Sequence, residues 1–151
     1  MAENQYVTFL LGNEKYCIDI ENVAGISENV KVTKVPDAPY YLQGIMNLRG
    51  DVIPVINLKK RFNIEETTYS EDSKIILINI EDNSLGFLVD EANQVVKIDE
   101  TDIDPTPEVI KRKGQDYISS IGKLGGELYI ILAFEKILNH DETETVLNFK
   151  K

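Results

Sequence analysis

The chain has 151 residues, a formal net charge of −10, one cysteine and one histidine. That length suits a single ordinary domain, and the negative charge argues against a nucleic acid partner because a phosphate backbone would be repelled. One cysteine excludes an internal disulfide, and the longest apolar run, Leu128 to Phe134, is too short for membrane insertion.

The first half of the chain is predicted to contain two hairpins with a further strand region between them. The β-rich runs YVTFLL and KYCID flank a Gly-Asn turn, and NVAGISENVKVTKV adds short β-branched runs. YLQGIMNL and DVIPVIN form the second hairpin around Arg49 and Gly50, followed by a short helix from Leu58 to Phe62. Pro54 cannot donate to a strand ladder, which predicts an edge, a bulge or a strand end at that residue.

The second half shows the same succession of predicted elements. KIILINI and LGFLV form a hairpin, NQVVKI is a short strand, and YISSIGKL with ELYIILA forms the last hairpin. A short helix is expected from Phe134 to Asn139, and the polar stretch 97–116 is expected to be a loop. His140 lies in NHDETET, which indicates a solvated polar tail.

These similarities amount to an internal repeat. Tyr41 to Phe62 aligns without a gap on Tyr117 to Leu138, at an offset of 76 residues, and Leu11 to Val23 aligns on Ile80 to Ala92 at an offset of 69. A repeated supersecondary unit predicts two similar subdomains, about 6–62 and 75–138, within one domain that covers 1–151. The sequence therefore predicts an all-β protein with little helix.

The last strand of each half is apolar almost without interruption. DVIPVIN and ELYIILA lack the polar alternation of a strand with one solvated face, so both faces are expected to be covered. We therefore expect Val55 and Ile131 to lie in a core between the two subdomains. Covering both strands would make the subdomains one cooperative unit.

The sequence offers few residues that could form a catalytic or metal-binding motif. The chain carries no GxSxG elbow, phosphate-binding loop or GxGxxG motif, and Cys17 and His140 are not expected to form a catalytic pair. No His or Cys cluster fits a metal site, and the acidic runs do not match an EF-hand. The sequence predicts no enzyme, no catalytic residue, no metal and no cofactor.

The words GIMNLRGDVIPVINL, YCIDI and GFLVD together resemble the family of chemotaxis coupling proteins known as CheW. The resemblance runs from Tyr6 to about Leu138. It implies two intertwined five-stranded SH3-like β-barrels that share a hydrophobic core. It also implies a non-enzymatic adaptor that joins the cytoplasmic tips of methyl-accepting chemoreceptors to the regulatory domain of the histidine kinase CheA.

Such an adaptor is expected to be a monomer in isolation, cytoplasmic, and recruited to membrane-associated receptor arrays of a two-component system. Two alternatives remain open. One is a small-molecule or ion-binding β-barrel that uses the acidic loops, and the other is a CheA regulatory domain excised from a longer chain. Binding to a receptor fragment and to the kinase distinguishes the adaptor from the ligand-binding barrel.

The resemblance also implies docking positions, since receptors of this family dock in an apolar groove between the barrels and the kinase docks on exposed strand edges. The positions selected are Val23, Ile26 and Val30 in the third strand region, and Val95 and Ile98 in its counterpart.

Arg49 is a candidate from the residues themselves. A tight hairpin explains Gly50, because glycine tolerates positive φ, but the second copy makes the same turn with Gly125. We hypothesise that Arg49 offers its five donors to a docking helix beside the apolar groove, and that Asn47 and Leu48 shape the turn.

Two further features of this region complete the sequence evidence. Gly44 precedes the motif strand and is expected to permit a close approach of backbone. Its repeat mate is Ser120, so the fold alone does not require glycine there, and Gly44 is counted with the partner-binding candidates. Residues 31–62 hold six basic side chains and two acidic ones, although the whole chain is acidic. This asymmetry favours separate faces for different partners.

Overall fold

The computed structural model describes residues 3–28, 31–64, 69, 71–80, 82–105 and 117–149. The strands in those ranges are β1 (Glu3–Leu11), β2 (Glu14–Asp19), β3 (Val23–Glu28), β4 (Leu42–Leu48), β5 (Asp51–Asn57), β6 (Lys74–Ile80), β7 (Asn83–Val89), β8 (Glu91–Asp99), β9 (Ile103–Pro105), β10 (Ile118–Leu124) and β11 (Glu127–Leu132). The helices are α1 (Leu58–Arg61), α2 (His140–Asn148) and the 3₁₀ turns Ile20–Asn22, Glu100–Asp102 and Phe134–Lys136. Within the described ranges, no helix has the length and apolar character needed to cross a membrane.

The strands form two sheets, and each sheet combines strands from both halves of the chain. The six-stranded sheet has the order β8-β1-β2-β11-β10-β9, and the five-stranded sheet has the order β3-β6-β7-β5-β4. The halves meet through four strand pairings: the parallel pairs β2–β11 and β5–β7, and the antiparallel pairs β1–β8 and β3–β6. The sheets are therefore interlaced.

The all-β prediction and the predicted hairpins are confirmed. The structure differs from two five-stranded barrels because β9 adds a sixth strand to one sheet and because neither ladder closes on itself. Each sheet consequently has two edges, at β8 and β9 in the larger sheet and at β3 and β4 in the smaller one. The β4 edge is partly covered by the bridge from Thr33 to Ile45. In the described structure the outer backbone groups of β3 and β8 have no ladder partner, which makes these two edges the candidates for docking.

Pro54 lies in the middle of an inner strand, so the expectation of an edge, a bulge or a strand end is wrong. On the β4 side its opposite residue is Ile45, which exchanges both backbone hydrogen bonds with Thr33, at 2.8 and 2.9 Å. On the other side the parallel ladder to β7 begins only at Val55. The missing N–H of proline is tolerated because neither neighbouring strand requires it there.

The core has three parts: a large cluster between the sheets and one smaller cluster in each sheet. Val55 belongs to the small cluster of the five-stranded sheet, and Ile131 belongs to that of the six-stranded sheet. Each of these clusters combines side chains from both halves of the chain, so Val55 and Ile131 do pack between the halves, but neither lies in the large cluster between the sheets. Their chain neighbours Ile56 and Leu132 lie in the shared core instead, because successive residues of a strand face opposite sides.

The predicted polar tail is a helix that covers the shared core. Asn139 and Glu142 form a reciprocal capping box at the start of α2, and Val146 is fully buried. Arg61 fixes this helix to α1, because its side chain donates to the Ile137 carbonyl at 2.7 Å and to Glu142 at 3.0 Å. The pattern N-x-x-E followed by an apolar residue four positions later was the sequence signal for this helix.

The polar stretch 97–116 also holds regular structure in its described part. β8 continues to Asp99, whose carboxylate accepts from the Thr101 N–H at 2.9 Å and so caps a 3₁₀ turn. β9 then pairs with β10. The loop prediction is wrong for 97–105, and residues 106–116 lie outside the described residues.

Candidate functional site

The turn between β4 and β5 is a two-residue hairpin turn with both central residues at positive φ. Arg49 has φ 53° and Gly50 has φ 90°, and the matching turn of the second half has Gly125 at 58° and Gly126 at 81°. These values fit a type I′ turn, which strongly favours glycine or asparagine. A left-handed conformation costs a side chain with a Cβ about 1–2 kcal/mol. Arg49 therefore occupies a position for which glycine is the better backbone choice.

Two neighbours hold this turn in place. The Asn47 side-chain oxygen accepts from the Gly50 N–H at 3.1 Å, and Leu48 packs against the core cluster of the five-stranded sheet. Arg49 itself is exposed, and in the described part of the chain it makes no ion pair and no side-chain hydrogen bond. The turn is rigidly supported while its cation stays available.

A depression of about 410 Å³ adjoins this turn. It is lined by Gly50, Asp51, Val52, Ile53, Asp82 and Ser84. This lining is polar, so the depression is not the apolar groove expected beside Arg49. A partner that binds at this depression would contact the carboxylates of Asp51 and Asp82 beside the cation of Arg49.

Gly44 permits the close backbone approach that the sequence predicted. It has φ 150°, and a Cβ added there would overlap the Thr33 carbonyl oxygen and lie 2.9 Å from a Val32 methyl group. The segment around Thr33 pairs with Ile45 along the outer edge of β4. Internal packing is sufficient to explain this glycine, which is itself buried.

The β3 edge offers one clearly exposed apolar residue among the predicted positions. Ile26 is 43% exposed, whereas Val23 is half-buried and packs against the shared core. β3 is hydrogen-bonded only to β6, and its residues alternate between half-buried and exposed. Val30 lies outside the described residues.

The two predicted positions on β8 differ in exposure. Val95 is 54% exposed, but Ile98 is 0% exposed and packs with Tyr6, Cys17 and Tyr129 inside the six-stranded sheet. The prediction that Ile98 faces a partner is therefore replaced by a core role. The run NQVVKI has adjacent valines on opposite faces, so its sequence did not reveal which face was solvent-exposed.

Sequence reasoning missed two exposed apolar side chains. Leu128 is 61% exposed near the Gly125 turn, although it belongs to the run expected to be covered on both faces. Tyr40 is 59% exposed, and its ring meets the Tyr41 ring edge-on, with centroids 5.4 Å apart. Nothing in the residue pattern marked either side chain as exposed, since each stands beside a buried neighbour.

The fold buries or pairs some cations of the basic stretch and exposes others. Lys59 is buried against Asp90, and Arg61 pairs with Glu142, whereas Lys31, Lys34 and Arg49 are exposed. The positive surface is thus smaller than the count of basic residues indicated.

The remaining candidate groups are Cys17 and His140, and the fold explains both without a catalytic role. Burial raises the pKa of the Cys17 thiol to about 12, so the thiol stays protonated at neutral pH and is a poor nucleophile. His140 lies on the exposed surface of α2 within 3.2 Å of Glu144. Among the described residues, no three His, Cys, Asp or Glu side chains are grouped closely enough to hold a metal ion.

Comparison with known proteins places this arrangement among its relatives. The family model described as "CheW-like domain" matches residues 5–142. The chain is 36% identical to the chemotaxis protein CheW of Treponema pallidum, over 95% of this chain and 87% of that protein. It is 34% identical to that of Helicobacter pylori, over 91% of this chain and 82% of that protein. The crystal structure of the scaffolding protein TtCheW from Thermoanaerobacter tengcongensis is similar with a TM-score of 0.80 and 38% identity, covering 87% of this chain and 89% of that one.

Proposed function

The chain belongs to the family of CheW-like domains, whose members are non-enzymatic adaptors, and on that premise we propose that it couples chemoreceptor cytoplasmic tips to the regulatory domain of the histidine kinase CheA. It acts by binding two proteins at once and performs no chemistry on either. It works in the cytoplasm as a monomer before it is recruited to membrane-associated arrays.

The observation that carries this proposal is the conformation of Arg49. A residue with a Cβ at φ 53° is retained where the matching turn of the same chain uses glycine. Asn47 and Leu48 hold the turn on a rigid sheet, and the guanidinium remains exposed. Strain kept at a supported, exposed position is typical of a residue that serves a partner rather than the fold.

The guanidinium also fits the partner that the proposal names. Arginine presents five donors in a planar fork, which can bind carboxylates or backbone carbonyls of a docking helix. The chain carries a net charge of −10, so an exposed cation at a hairpin tip is a local exception on an acidic surface. Such an exception helps to define the orientation of a charged partner.

The edge strands provide the second kind of contact. β3 presents Ile26 and β8 presents Val95, and the outer backbone groups of each strand have no ladder partner in the described structure. Edge strands with exposed apolar residues suit a partner that adds a strand or packs across the edge. Val23 is included in the β3 surface as part of the proposal, and Ile98 is left out because it is buried. Val30 stays a predicted docking position that lies outside the described residues.

Replacing Arg49 with glutamate tests the proposal. We expect the Arg49→Glu variant to lose receptor-dependent kinase control in a reconstituted mixture of receptor fragment, adaptor and CheA, with little change in melting temperature. The stability should hold because Arg49 makes no ion pair among the described residues. Lys136→Glu is the matched control, since it makes the same charge change at an exposed position in the 3₁₀ turn Phe134–Lys136, which belongs neither to the Arg49 turn nor to β3 or β8. Wild-type coupling by Arg49→Glu, or equal loss in both variants, would contradict the assignment.

A further inference from the structure

The chain passes from one sheet to the other through a single residue, Asp90. β7 ends at Val89 in the five-stranded sheet, and β8 begins at Glu91 in the six-stranded sheet. The Asp90 N–H donates to the Leu10 carbonyl at 3.0 Å, and its carboxylate accepts from the Gly12 N–H at 2.6 Å. Asp90 is therefore fixed to the first hairpin of the six-stranded sheet by both its backbone and its side chain.

The other carboxylate oxygen of Asp90 binds a cation from the five-stranded sheet. The Lys59 ammonium lies 2.7 Å from it, and the Lys59 side chain is only 4% exposed. Lys59 lies in α1, immediately after β5. The ion pair consequently connects the end of a central strand in one sheet to the first turn of the other.

Tyr69 completes this arrangement. Its ring lies under the Lys59 ammonium at 4.4 Å, and its hydroxyl accepts from the Lys59 backbone N–H at 3.2 Å. The same hydroxyl lies 3.0 Å from the Leu88 carbonyl and 3.0 Å from the Asn57 side-chain oxygen, so it donates to one of them at a time. We call Lys59, Asp90 and Tyr69, with the Gly12 amide, the Lys59 interlock.

The geometry points to a conformational role: we infer that the Lys59 interlock sets the relative orientation of the two sheets. The shared core also joins the sheets, but apolar contacts are non-directional and tolerate small rotations. Hydrogen bonds and a close ion pair have defined directions and lengths. The described part of the second half has no matching interlock, because the repeat mate of Lys59 is Glu135, which is exposed and carries the opposite charge. The relative orientation of the two sheets is thus set by this one group of residues and not by a symmetrical pair of such groups.

The energetics support orientation over stability as the role of this ion pair. Removing two charges from water offsets most of their attraction, so a buried ion pair often adds little net stability while it restricts geometry. An interlock of this kind is expected to matter for the spread of conformations more than for the melting temperature.

The inference has a consequence that rests on the proposed function. Arg49 lies in the turn that precedes β5, and β5 ends at Asn57, two residues before Lys59. Val95 lies on β8, which begins at Glu91, next to Asp90. The interlock therefore fixes the spacing between the two proposed docking surfaces. An adaptor with a loosened interlock would bind each partner alone but would position them poorly together.

Distance measurement by electron spin resonance tests the inference without any partner. Spin labels are attached at Ala24→Cys on β3 and Lys97→Cys on β8, both exposed, whereas native Cys17 is buried and stays unlabelled. The double variant Lys59→Met/Asp90→Asn removes both charges with little change in side-chain size. We expect a narrow distance distribution in the parent protein and a broadened one in this variant.

Two comparisons make the result decisive. Lys123→Met is the control, because it breaks an exposed ion pair with Asp104 inside the six-stranded sheet and should leave the distribution narrow. Lys59→Met alone leaves the charge on Asp90, which is partly exposed and still accepts from the Gly12 N–H, so it should broaden the distribution less and gives a second reading if the double variant does not fold. If the distance distributions of the folded variants superimpose on that of the parent protein, the inference is overturned.

The partner experiment separates this inference from the proposed function. Broadening together with wild-type binding of receptor fragment and CheA singly, but loss of the three-part complex, supports the link to docking. Broadening with a fully formed three-part complex overturns that link. Failure of the Arg49→Glu test alongside broadening removes the proposed function and leaves the orientation claim standing.

Discussion

Replacing Arg49 with glycine should make the protein more stable while it abolishes coupling. Arg49 lies at φ 53°, and the left-handed conformation costs about 1–2 kcal/mol for a residue with a Cβ. Glycine removes that strain but loses about 0.5–1 kcal/mol through the greater freedom of the unfolded chain. The difference predicts a net gain of about 0–1.5 kcal/mol in the free energy of unfolding, with a central value of about 0.75 kcal/mol.

Urea unfolding measures this gain as a higher midpoint at an unchanged slope, and the melting temperature should rise by about 1–4 °C. The second turn of the chain supplies the reciprocal control. Gly125 has φ 58° and open space around a built Cβ, so Gly125→Arg should lower stability by a similar amount without any steric clash. The same reconstituted mixture should show that Arg49→Gly no longer couples receptor to kinase.

The reasoning is refuted if Arg49→Gly lowers the urea midpoint, because the conformation would then not be strained. The binding role of Arg49 is refuted if the glycine variant couples receptor to kinase normally, because the guanidinium would then have no partner. A gain in stability together with a loss of coupling is the signature expected of a residue retained for binding.

Two further predictions follow from the core. Ile56→Ala or Leu132→Ala should lower the free energy of unfolding by about 2–5 kcal/mol and still give one unfolding transition, since both residues lie in the shared core; two transitions in circular dichroism would contradict a common core. The pKa of Cys17 is raised by burial from 9.0 to about 12, so the unfolded chain loses this proton at lower pH than the folded one. Stability should therefore fall as pH rises above about 9, with a shallower fall in Cys17→Ala, and equal slopes in the two proteins would count against this assignment.

The sequence was most informative where backbone geometry restricts the choice of residue. Gly50 was predicted at a tight turn from its repeat mate, and the structure places it at φ 90°. Arg49 was singled out by the same comparison, but its own positive φ is a property of the folded turn that no residue pattern contains. The turn was therefore predictable, whereas its strain was not.

The sequence was least informative where a strand is covered on both sides. In DVIPVIN every residue is apolar or nearly so, and no polar alternation indicates whether Val55 or Ile56 faces the other sheet. Ile98 is a different case, because the family resemblance implied its docking position and the pattern of its own strand did not indicate which face is buried. Which face of such a strand meets which cluster depends on the partner strands, and those are set by tertiary pairing.

The C-terminal helix was missed for a different reason. Its polar composition was read as a solvated tail, although a capping box and Val146 at helical spacing were present in the sequence. Capping signals are local and were sufficient here. Nothing local indicated that Arg61 of α1 would hold the helix in place, because that contact joins residues 81 positions apart.

The interlaced sheets also determine when this protein can fold during its synthesis. β3 and β5 emerge early from the ribosome, yet in the finished sheet β6 and β7 lie between them. The larger sheet likewise holds β2 against β11, so it stays open until almost the whole chain has been made. The strands of the first half therefore stay unpaired at their edges while the second half is translated. Final assembly depends on long-range strand pairing, which is slow and leaves the unpaired strands prone to aggregation.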